Sequence, residues 1–453
     1  MKRFLPTVLF VLFFISFMNG QSHVWTGNGG DADWFNTANW EAGTVPSETS
    51  NVLISEGFSV DVISDFAFVS TLVMNANSTL SIESIFTISQ SISISEEATF
   101  IFKKGTIRGV IVNSGLLLME SFEEKYFNNS SITNYGVINV VDSGTIRFNN
   151  TVNVFNSAQA SIIIESPGGF LEQTGVATFN NEGLIQMPST EMFRAYYMIF
   201  DMNNSGVIDV GENQIFLFLV SSQNLNNIAT GRLEGEGTLD ITSNFTNSGT
   251  FSPAGVNSIG TLDVVNNFTF SSDSTLEIEI EGSAEGEYDR MAVTGFPNLE
   301  GTIDLNLKYA PALGEEFMVI TANSITSCNL TDYITAEFEG EEYIFEVQCN
   351  PTDVTLVVVS EILSVSDFSS EEHMFLIEEN PVRDEVVIRL NDTFTEFGNL
   401  SITLFNNLGQ EIKSQNVFSS EIVMERNALS SGIYFLQLIE GNRVLASQKI
   451  IFE

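Results

Sequence analysis

Apart from its carboxylates, this sequence has few side chains that commonly perform acid–base or nucleophilic chemistry. Its only histidines are His23, near the N-terminus, and His373, in an acidic stretch much later in the chain. A Ser-His-Asp or Cys-His arrangement needs a positioned imidazole, and neither histidine is well placed for one. The same scarcity leaves a zinc site built from several His or Cys ligands unsupported. The glycine-rich segment at residues 27–30 precedes neither a helix signal nor a lysine, so it does not predict a phosphate-binding loop.

Carboxylates are abundant, with 58 acidic residues against 17 basic residues. A glycosidase needs two carboxylates about 5 to 10 Å apart, and among so many acids some pair will meet that distance by chance. A carbohydrate-active enzyme, either a polysaccharide lyase or a glycosidase, therefore stays open as an alternative function. A lyase acting on anionic polysaccharides would need a basic groove, and the middle of the chain has few basic residues.

Asp31 and Asp33 are the candidate ligands for a cation. They lie beside Gly29 and Gly30, and Ca²⁺ prefers oxygen ligands of this kind. The alternative, which we favour, is a polar turn without a metal. We therefore expect no cofactor, with calcium kept as the exception.

The formal net charge of −41 limits the classes of partner. Affinity for nucleic acid comes largely from Lys and Arg on phosphates, so nucleic acid is excluded as a partner. Anionic membranes would repel the chain in the same way. The charge favours solubility in a salty exterior, where it is screened over about 10 Å or less. Binding of divalent cations by clustered carboxylates is the other interpretation.

The two cysteines, Cys328 and Cys349, are expected to form a disulfide. They flank two strand-like runs around the polar segment 339–341. A hairpin-like return would bring them together, and an extracytoplasmic location permits the bond. Two free buried thiols are the alternative.

The elements that must position all these residues are strands. Between His23 and about Leu307, short runs of Val, Ile, Phe, Leu and Thr alternate with Asn, Ser and Gly, a pattern typical of strands and turns. A unit of Asn, any residue, Gly and then alternating apolar positions recurs within this region. Its copies begin at Asn113-x-Gly115, Asn134-x-Gly136, Asn181-x-Gly183, Asn204-x-Gly206 and Asn247-x-Gly249. Degenerate copies start at Asn156 and Asn227, and related turns at Asn77 and Asp273 extend the series.

The repeat predicts an all-β fold: a right-handed β-solenoid (β-helix) with coils of roughly 20–25 residues, followed by a small C-terminal antiparallel β-sandwich. Stacked coils would place Asn above Asn, where side-chain amides bond in a ladder around an apolar interior. We attribute the Asn-x-Gly turns to tolerance of positive φ at a sharp corner. The competing fold is a string of β-sandwich domains, which usually lack so long a repeat.

Two segments indicate the ends of the stack. Residues 23–56 contain Trp25, Trp34 and Trp40, and this Trp/Gly/Asp-rich pattern resembles the opening segment of bacterial adhesins and autotransporter passengers. Tryptophan in such a cap covers the open end of a core, and sugar stacking is the alternative. The region 233–320 resembles the repeat regions of autotransporter-like passengers. The residues that support this are Ser252-Pro-Ala-Gly255, Ile259-Gly-Thr-Leu262, Tyr288-Asp289 through Gly295 and Gly314 through Ile320. Asp273-Ser274-Thr275 resembles an O-glycosylation acceptor, with a solvated turn as the favoured alternative.

The N-terminus predicts a secretory signal peptide at residues 1–22. Lys2 and Arg3 precede an apolar run from Phe4 to Phe17 and a small, polar exit. The run is shorter than the roughly 20 residues of a comfortable membrane span. An uncleaved anchor is the alternative, and we expect no transmembrane segment in the mature chain.

The C-terminal segment from about Phe375 contains four short motifs in a defined order. They are Asn380-Pro381-Val382, Gly409-Gln410, Gly432-Ile433-Tyr434 and Lys449. Together they resemble the type A C-terminal sorting domain of the type IX secretion system of Bacteroidetes-type bacteria. The resemblance implies export through the outer membrane, the secretion machinery as a partner, and usually removal of the sorting domain.

We therefore expect six segments. They are a signal peptide (1–22), a Trp-rich cap (23–56), solenoid repeats (57–310), a C-terminal cap with the disulfide (311–360), a linker (361–374) and a sorting domain (375–453). The predicted function is that of a secreted cell-surface protein, non-catalytic and either adhesin-like or structural. Surface lipopolysaccharide or extracellular glycans are its candidate partners.

Overall fold

A computed structural model of the chain describes residues 20–141, 144–165, 168–190, 194–218, 223–242, 244–265, 267–362, 374–377, 380–391, 397, 399–427, 429–441 and 443–452. Most of the predicted signal peptide, most of the predicted linker and His373 lie outside the described residues. The chain divides into two compact units, Met1–Ile362 and Leu363–Glu453. Within the described residues, no helix is long and apolar enough to cross a membrane.

Unit 1 is built from short strands and one described 3₁₀ helix, η1 (Thr37–Asn39). The strands of its first part are β1 (His23–Val24), β2 (Asn51–Ile54), β3 (Ser59–Val62), β4 (Ala67–Met74), β5 (Thr79–Ile82), β6 (Ile85–Ile94), β7 (Thr99–Phe102), β8 (Gly105–Asn113), β9 (Leu116–Met119), β10 (Lys125–Asn134), β11 (Val137–Val140), β12 (Ile146–Asn156), β13 (Ser161–Ile164), β14 (Gly168–Asn181), β15 (Leu184–Met187), β16 (Arg194–Ile199) and β17 (Asp201–Asn204).

The second part of unit 1 continues in the same way and ends in longer strands. These are β18 (Val207–Val210), β19 (Gln214–Phe218), β20 (Asn224–Asn227), β21 (Arg232–Gly235), β22 (Thr238–Ile241), β23 (Asn244–Asn247), β24 (Thr250–Pro253), β25 (Thr261–Val265), β26 (Thr275–Ile280), β27 (Arg290–Val293), β28 (Asn298–Leu299), β29 (Thr302–Leu307), β30 (Glu316–Ala322), β31 (Ser327–Cys328), β32 (Tyr333–Phe338), β33 (Glu341–Cys349) and β34 (Asp353–Ile362).

Parallel stacking of these strands forms the predicted β-solenoid. One side is a parallel sheet with twelve described strands, ordered β3-β5-β7-β9-β11-β13-β15-β18-β21-β24-β26-β29. The other sides belong to a second sheet, in which long strands such as β12 and β14 pair through two segments interrupted by a register shift. Beyond β14 the two segments are separate strands, because β16 continues its first half and β17 its second. Each such coil thus contributes three strand segments.

The length of a coil varies while its register is kept. Partners in the twelve-stranded sheet are separated by between 17 residues, from Phe100 to Leu117, and 27 residues, from Leu276 to Ile303. The turns absorb this variation because every second strand residue must face the interior. Inward positions are filled by large apolar side chains such as Phe100, Leu117 and Ile138, which are at most 2% exposed.

Both ends of the parallel stack are covered. At the N-terminal end, the rings of Trp25, Trp34 and Trp40 are buried and pack edge to face, with centroids 4.8–4.9 Å apart. At the other end, β30 pairs in parallel with β27 and antiparallel with β34, and β32, β33 and β34 form antiparallel pairs. The change from parallel to antiparallel pairing ends the repeat.

The described strands of unit 2 pair antiparallel with one another, and an isolated parallel bridge joins Val382 to Phe452. The strands are β35 (Phe375–Ile377), β36 (Glu385–Leu390), β37 (Leu400–Asn406), β38 (Glu411–Asn416), β39 (Glu421–Glu425), β40 (Gly432–Glu440) and β41 (Arg443–Phe452). They form a three-stranded sheet, β35-β36-β39, and a four-stranded sheet, β38-β37-β40-β41. Both sheets contribute to one apolar core, which includes Ile388, Ile422, Leu404 and Leu436.

Candidate functional site

The repeat asparagines form one continuous column, which we call the asparagine ladder. Its members are Asn113, Asn134, Asn156, Asn181, Asn204, Asn227 and Asn247, all at most 1% exposed. Each Nδ2 donates to the Oδ1 of the next member over 2.7–2.9 Å, and the last, Asn247, donates to Ser274 Oγ over 3.1 Å. Asn156 and Asn227, which lack the full Asn-x-Gly pattern, are therefore complete members.

Backbone carbonyl groups satisfy the rest of each ladder amide. Asn181 Nδ2, for example, also donates to Gly183 O and Val207 O, both at 3.1 Å. Burying an amide without partners would cost several kcal/mol, so this bonding is what allows a polar column inside an apolar core. The ladder amides act as structural groups within the turns.

The glycines of the Asn-x-Gly turns are required by close packing between coils. A Cβ at Gly206 would lie 2.1 Å from Gly183 O, and one at Gly136 would lie 2.3 Å from Gly115 O. These glycines, with Gly249, are absent from the residues that adopt positive φ, and so are the ladder asparagines. The attribution of these turns to positive φ was wrong. The coils approach so closely at this corner that a side chain does not fit.

The two ends of the ladder differ. Ile94 precedes Asn113 in the same register position, and Asn113 Oδ1 has no hydrogen-bond partner among the described residues. At the other end, Ser274 is 1% exposed and its Oγ donates to Asn247 O over 2.8 Å. Ser274 therefore terminates the ladder. Its burial argues against Ser274 as a glycosylation acceptor, whereas the preceding Asp273 is exposed in a turn.

In the N-terminal cap, the acidic candidates for a cation site are hydrogen-bonded within the protein. Asp31 accepts from Asn39 Nδ2 over 2.6 Å and from Asn36 Nδ2 over 2.8 Å, and these bonds lower the pKa of its carboxyl group. Asp33 Oδ1 accepts from Phe35 N over 3.0 Å. In the described part of the chain, no group of three or more His, Cys, Asp or Glu side chains is arranged to hold a metal ion. The burial of the three tryptophans also excludes sugar stacking on their rings.

Cys328 and Cys349 are joined by a disulfide, with their Cα atoms 6.3 Å apart. Cys328 ends β31, which stacks in parallel on β28, and Cys349 ends β33 in the antiparallel layer. The bond therefore links the last stacked element to the strands that cover it.

A groove of about 480 Å³ is lined by residues of four neighbouring coils near the C-terminal end of the solenoid. Its charged lining residues are Glu212, Glu236, Asp263, Glu285 and Arg290. Arg290 Nη1 lies 2.8 Å from Glu285 Oε1, and burial raises the pKa of the Asp263 carboxyl group.

Asp289 lies next to this groove but is 1% exposed. Its carboxylate accepts from the backbone N–H groups of Gly260 and Glu279, both at 2.9 Å. Burial raises its pKa to about 7 despite these bonds. Its side chain links the backbone of two segments and is inaccessible to solvent. It therefore does not form a solvent-accessible carboxylate pair with the acidic residues of the groove.

In unit 2, the first and last sorting motifs are brought together across 69 residues. Asn380 Nδ2 donates to Lys449 O, and Asn380 Oδ1 accepts from Ile451 N, both over 2.9 Å. Val382 N donates to Ile451 O over 2.7 Å. The peptide bond between Asn380 and Pro381 is cis. The side chain and backbone of this motif therefore continue the sheet beyond β41.

The remaining motifs meet the same end of the four-stranded sheet. Gly432, Ile433 and Tyr434 of β40 pair with Phe452, Ile451 and Ile450 of β41. On the other side of β40, Tyr434 pairs with Asn406, which opens the turn that contains Gly409 and Gln410. Asn406 Oδ1 accepts from Leu408 N and Gln410 N. Gly409 has a φ of +70°, which explains why glycine is preferred there.

Arg426 supports this end of unit 2, although no sequence motif indicated it. Its guanidinium group donates to Arg383 O, Leu429 O and Ser431 Oγ, and lies 5.6 Å from the centre of the Phe452 ring. The available signal was weak: it is one of six basic residues clustered in this segment. What the motifs share is their location, at one end of one sheet.

Comparison with known families decides the role of this unit. Residues 380–453 match the family described as the secretion system C-terminal sorting domain. This chain is cargo of the type IX secretion system. No curated protein matches the chain. The type IX machinery handles this cargo through its sorting domain, which directs the chain to the cell surface or the extracellular space.

Proposed function

We propose that the solenoid is a non-catalytic surface protein, adhesin-like or structural, that contacts extracellular glycans or surface lipopolysaccharide. One observation carries this proposal: the residues that recur in the repeat are all engaged in stacking. The ladder amides bond to each other, and the glycines between them allow the coils to approach. A repeat selected for regular stacking produces length and stiffness, which suit a surface rod.

The proposal includes the parts of the chain that precede and follow the solenoid. Residues 1–22 act as a cleaved signal peptide, and the sorting domain is removed after export by a bacterium of the Bacteroidetes type. Fractionation of the producing bacterium and intact-mass measurement of the surface form test this. A mature chain lacking the signal peptide and about 80 C-terminal residues is expected, a length that follows from the predicted sorting domain at 375–453. A periplasmic protein that keeps its full C-terminus would contradict it.

Deletion of residues 23–366 separates an adhesin from a spacer. If the solenoid is an adhesin, its deletion should abolish attachment of the bacterium to glycan-coated surfaces. If it is only a spacer, attachment should be unchanged. The matched control is a chain that keeps the solenoid but carries Asn203→Ala, a change to an outward amide that bonds to Asn180 over 2.9 Å. Unchanged attachment after the deletion would contradict the adhesin proposal.

A carbohydrate-active enzyme is the second candidate, and the groove near Asp263 favours it. Its carboxylates include one with a raised pKa, as a general acid requires, and Arg290 supplies a positive charge. Reducing-sugar release from a panel of polysaccharides tests this function. Release that is lost in Asp263→Asn and Glu285→Gln variants would support the enzyme and contradict the non-catalytic proposal.

A further inference from the structure

The four-stranded sheet of the sorting domain has an outer face that is rich in large apolar side chains. Along β40, Tyr434, Leu436 and Leu438 are buried in the core. The alternating residues Ile433 and Phe435 face outward and are 48% and 38% exposed. At this end of the sheet, the outer face is thus apolar where a solvated sheet usually carries polar residues.

Strand register identifies the neighbours of these two residues. Phe435 pairs with Phe405 of β37 on one side and with Lys449 of β41 on the other. Ile433 pairs with Ile451. We call Phe405, Ile433, Phe435, Lys449 and Ile451 the outer patch.

Strand β38 supplies polar neighbours to the outer patch. Thr403 Oγ1 and Ser414 Oγ lie 2.8 Å apart, so Thr403 and Ser414 share the face that also includes Phe405. Beyond a register shift between Leu404 and Phe405, Phe405 pairs with Glu411 of β38. The patch therefore spans three strands of the sheet, β37, β40 and β41.

The sorting motifs divide into two groups at this sheet. Asn380, Val382 and Tyr434 hold the strands together through hydrogen bonds or buried contacts. Ile433 and Lys449 instead present their side chains on the outer patch, and both are exposed. Motif residues that do not stabilise the fold are the ones available to a partner.

We propose that the outer patch is the surface by which a component of the type IX secretion machinery binds this cargo. The partner would offer an apolar surface for Ile433 and Phe435 and one acceptor, a carboxylate or carbonyl group, for the Lys449 ammonium group. Contiguous exposed apolar side chains mark interaction sites on soluble proteins. The machinery is the occupant because this unit matches a secretion sorting domain and because two of its motif residues form part of the patch.

The test is export of the full chain in the producing bacterium, measured as the ratio of surface-plus-medium to periplasmic protein. The test variant is Ile433→Thr with Phe435→Thr, since threonine keeps strand propensity. The matched control is Phe418→Thr with Val423→Thr, which removes two apolar side chains, 83% and 43% exposed, elsewhere in the same domain. The patch variant should lower the export ratio by roughly tenfold or more, and the control by less than about twofold.

Lys449 keeps the test decisive if the double variant unfolds. Its exposed side chain can change while its backbone bond to Asn380 stays, so Lys449→Glu should fold normally and still reduce export by roughly tenfold, whereas Lys449→Arg should not. Thermal unfolding of the purified full chains establishes that each variant is folded. Normal export of folded Lys449→Glu and folded Ile433→Thr/Phe435→Thr would overturn the proposal. An equal loss in the control would also overturn it, and so would a patch that instead joins two copies, seen by light scattering as a dimer that only the patch variants dissociate.

Discussion

The solenoid and the sorting domain both consist of strands with one buried face, but their strands pair in different ways. In the solenoid, identical positions of successive coils stack, so a single type of residue such as asparagine forms a column with itself. In the sorting domain, each strand pairs antiparallel with a strand of different sequence, and its motifs meet across up to 69 residues. The contacts between coils can therefore be predicted from the spacing of the repeat, whereas the contacts within a sandwich depend on which strands pair.

The surfaces of the two units also differ. Of the 22 large apolar side chains that are exposed in the described chain, eight belong to unit 2, which is about a fifth of the length. Six of the 17 basic residues also lie in the sorting segment. Large apolar side chains are therefore exposed more densely in unit 2 than in unit 1.

Asn181→Ala is the strongest test of stacking as the source of solenoid stability. In this variant, the Asn156 amide loses the Asn181 oxygen to which it donates. Asn204 Oδ1 and two backbone carbonyl groups lose the amide that donates to them, and all of these groups lie in a buried environment. Leaving such groups unsatisfied should lower the free energy of unfolding by about 3–5 kcal/mol. Chemical denaturation measures it.

The control for that change is Asn203→Ala, in the outward column next to the ladder. Asn203 bonds to Asn180 and Asn226 over 2.9 Å but is only half-buried. Its loss should cost about 1 kcal/mol or less because water replaces the lost partners. Equal effects of the two substitutions would show that the buried ladder is not what holds the coils.

Removal of the disulfide tests the covered end of the solenoid. A Cys328→Ala/Cys349→Ala variant opens a loop of 21 residues. The chain-entropy model then predicts a loss of roughly 3 kcal/mol in the free energy of unfolding. Calorimetry compares the unfolding of the oxidised parent with that of the variant. If reductant did not lower the unfolding temperature of the parent, the expectation would be contradicted.

Asn380→Ala tests the corresponding long-range contact in the sorting domain. The variant loses two hydrogen bonds, to Lys449 O and from Ile451 N, at a partly solvated site. A destabilisation of about 1–2 kcal/mol is expected in the unfolding of unit 2. Hydrogen exchange at the backbone amides of β41 should accelerate, while the backbone amides of the solenoid strands keep their protection. Faster exchange in the solenoid would argue against independent units.

The pH dependence of stability should single out Asp289. Its pKa is raised to about 7 in the folded chain, above its ordinary value of 3.8, so the folded state binds the proton more tightly. Stability from this group is present at low pH and is lost as the pH rises through about 7. Between pH 8 and pH 6 the parent should gain stability on acidification, by at most about 1.4 kcal/mol per pH unit from one proton.

Asp289→Asn provides the control for that titration, since the other acidic groups of the chain also respond to pH. The variant should show a smaller gain between pH 8 and pH 6 than the parent, measured by denaturation at each pH. Identical slopes would mean that Asp289 does not titrate in this range.

Much of the solenoid could be predicted from the sequence because its contacts repeat. The Asn-x-Gly spacing predicted the parallel coils. The reason assigned to the glycines was wrong, since no local signal reveals that a Cβ at Gly206 would meet a carbonyl oxygen of the previous coil. Asn156 and Asn227, which were predicted as degenerate copies of the repeat, are full members of the ladder although they lack the accompanying glycine.

The sequence by itself determined the strand-rich composition, the coil period and the identity of the sorting segment, since each depends on local pattern or on a match of ordered motifs. Only the tertiary structure decided which motif residues support the sheet and which face outward. Asn380 and Lys449 are joined by a hydrogen bond, and Ile433 alternates with Tyr434 between the surface and the core. These assignments depend on which strands pair and which face of the sheet is covered, and neither is a property of any short segment of the chain.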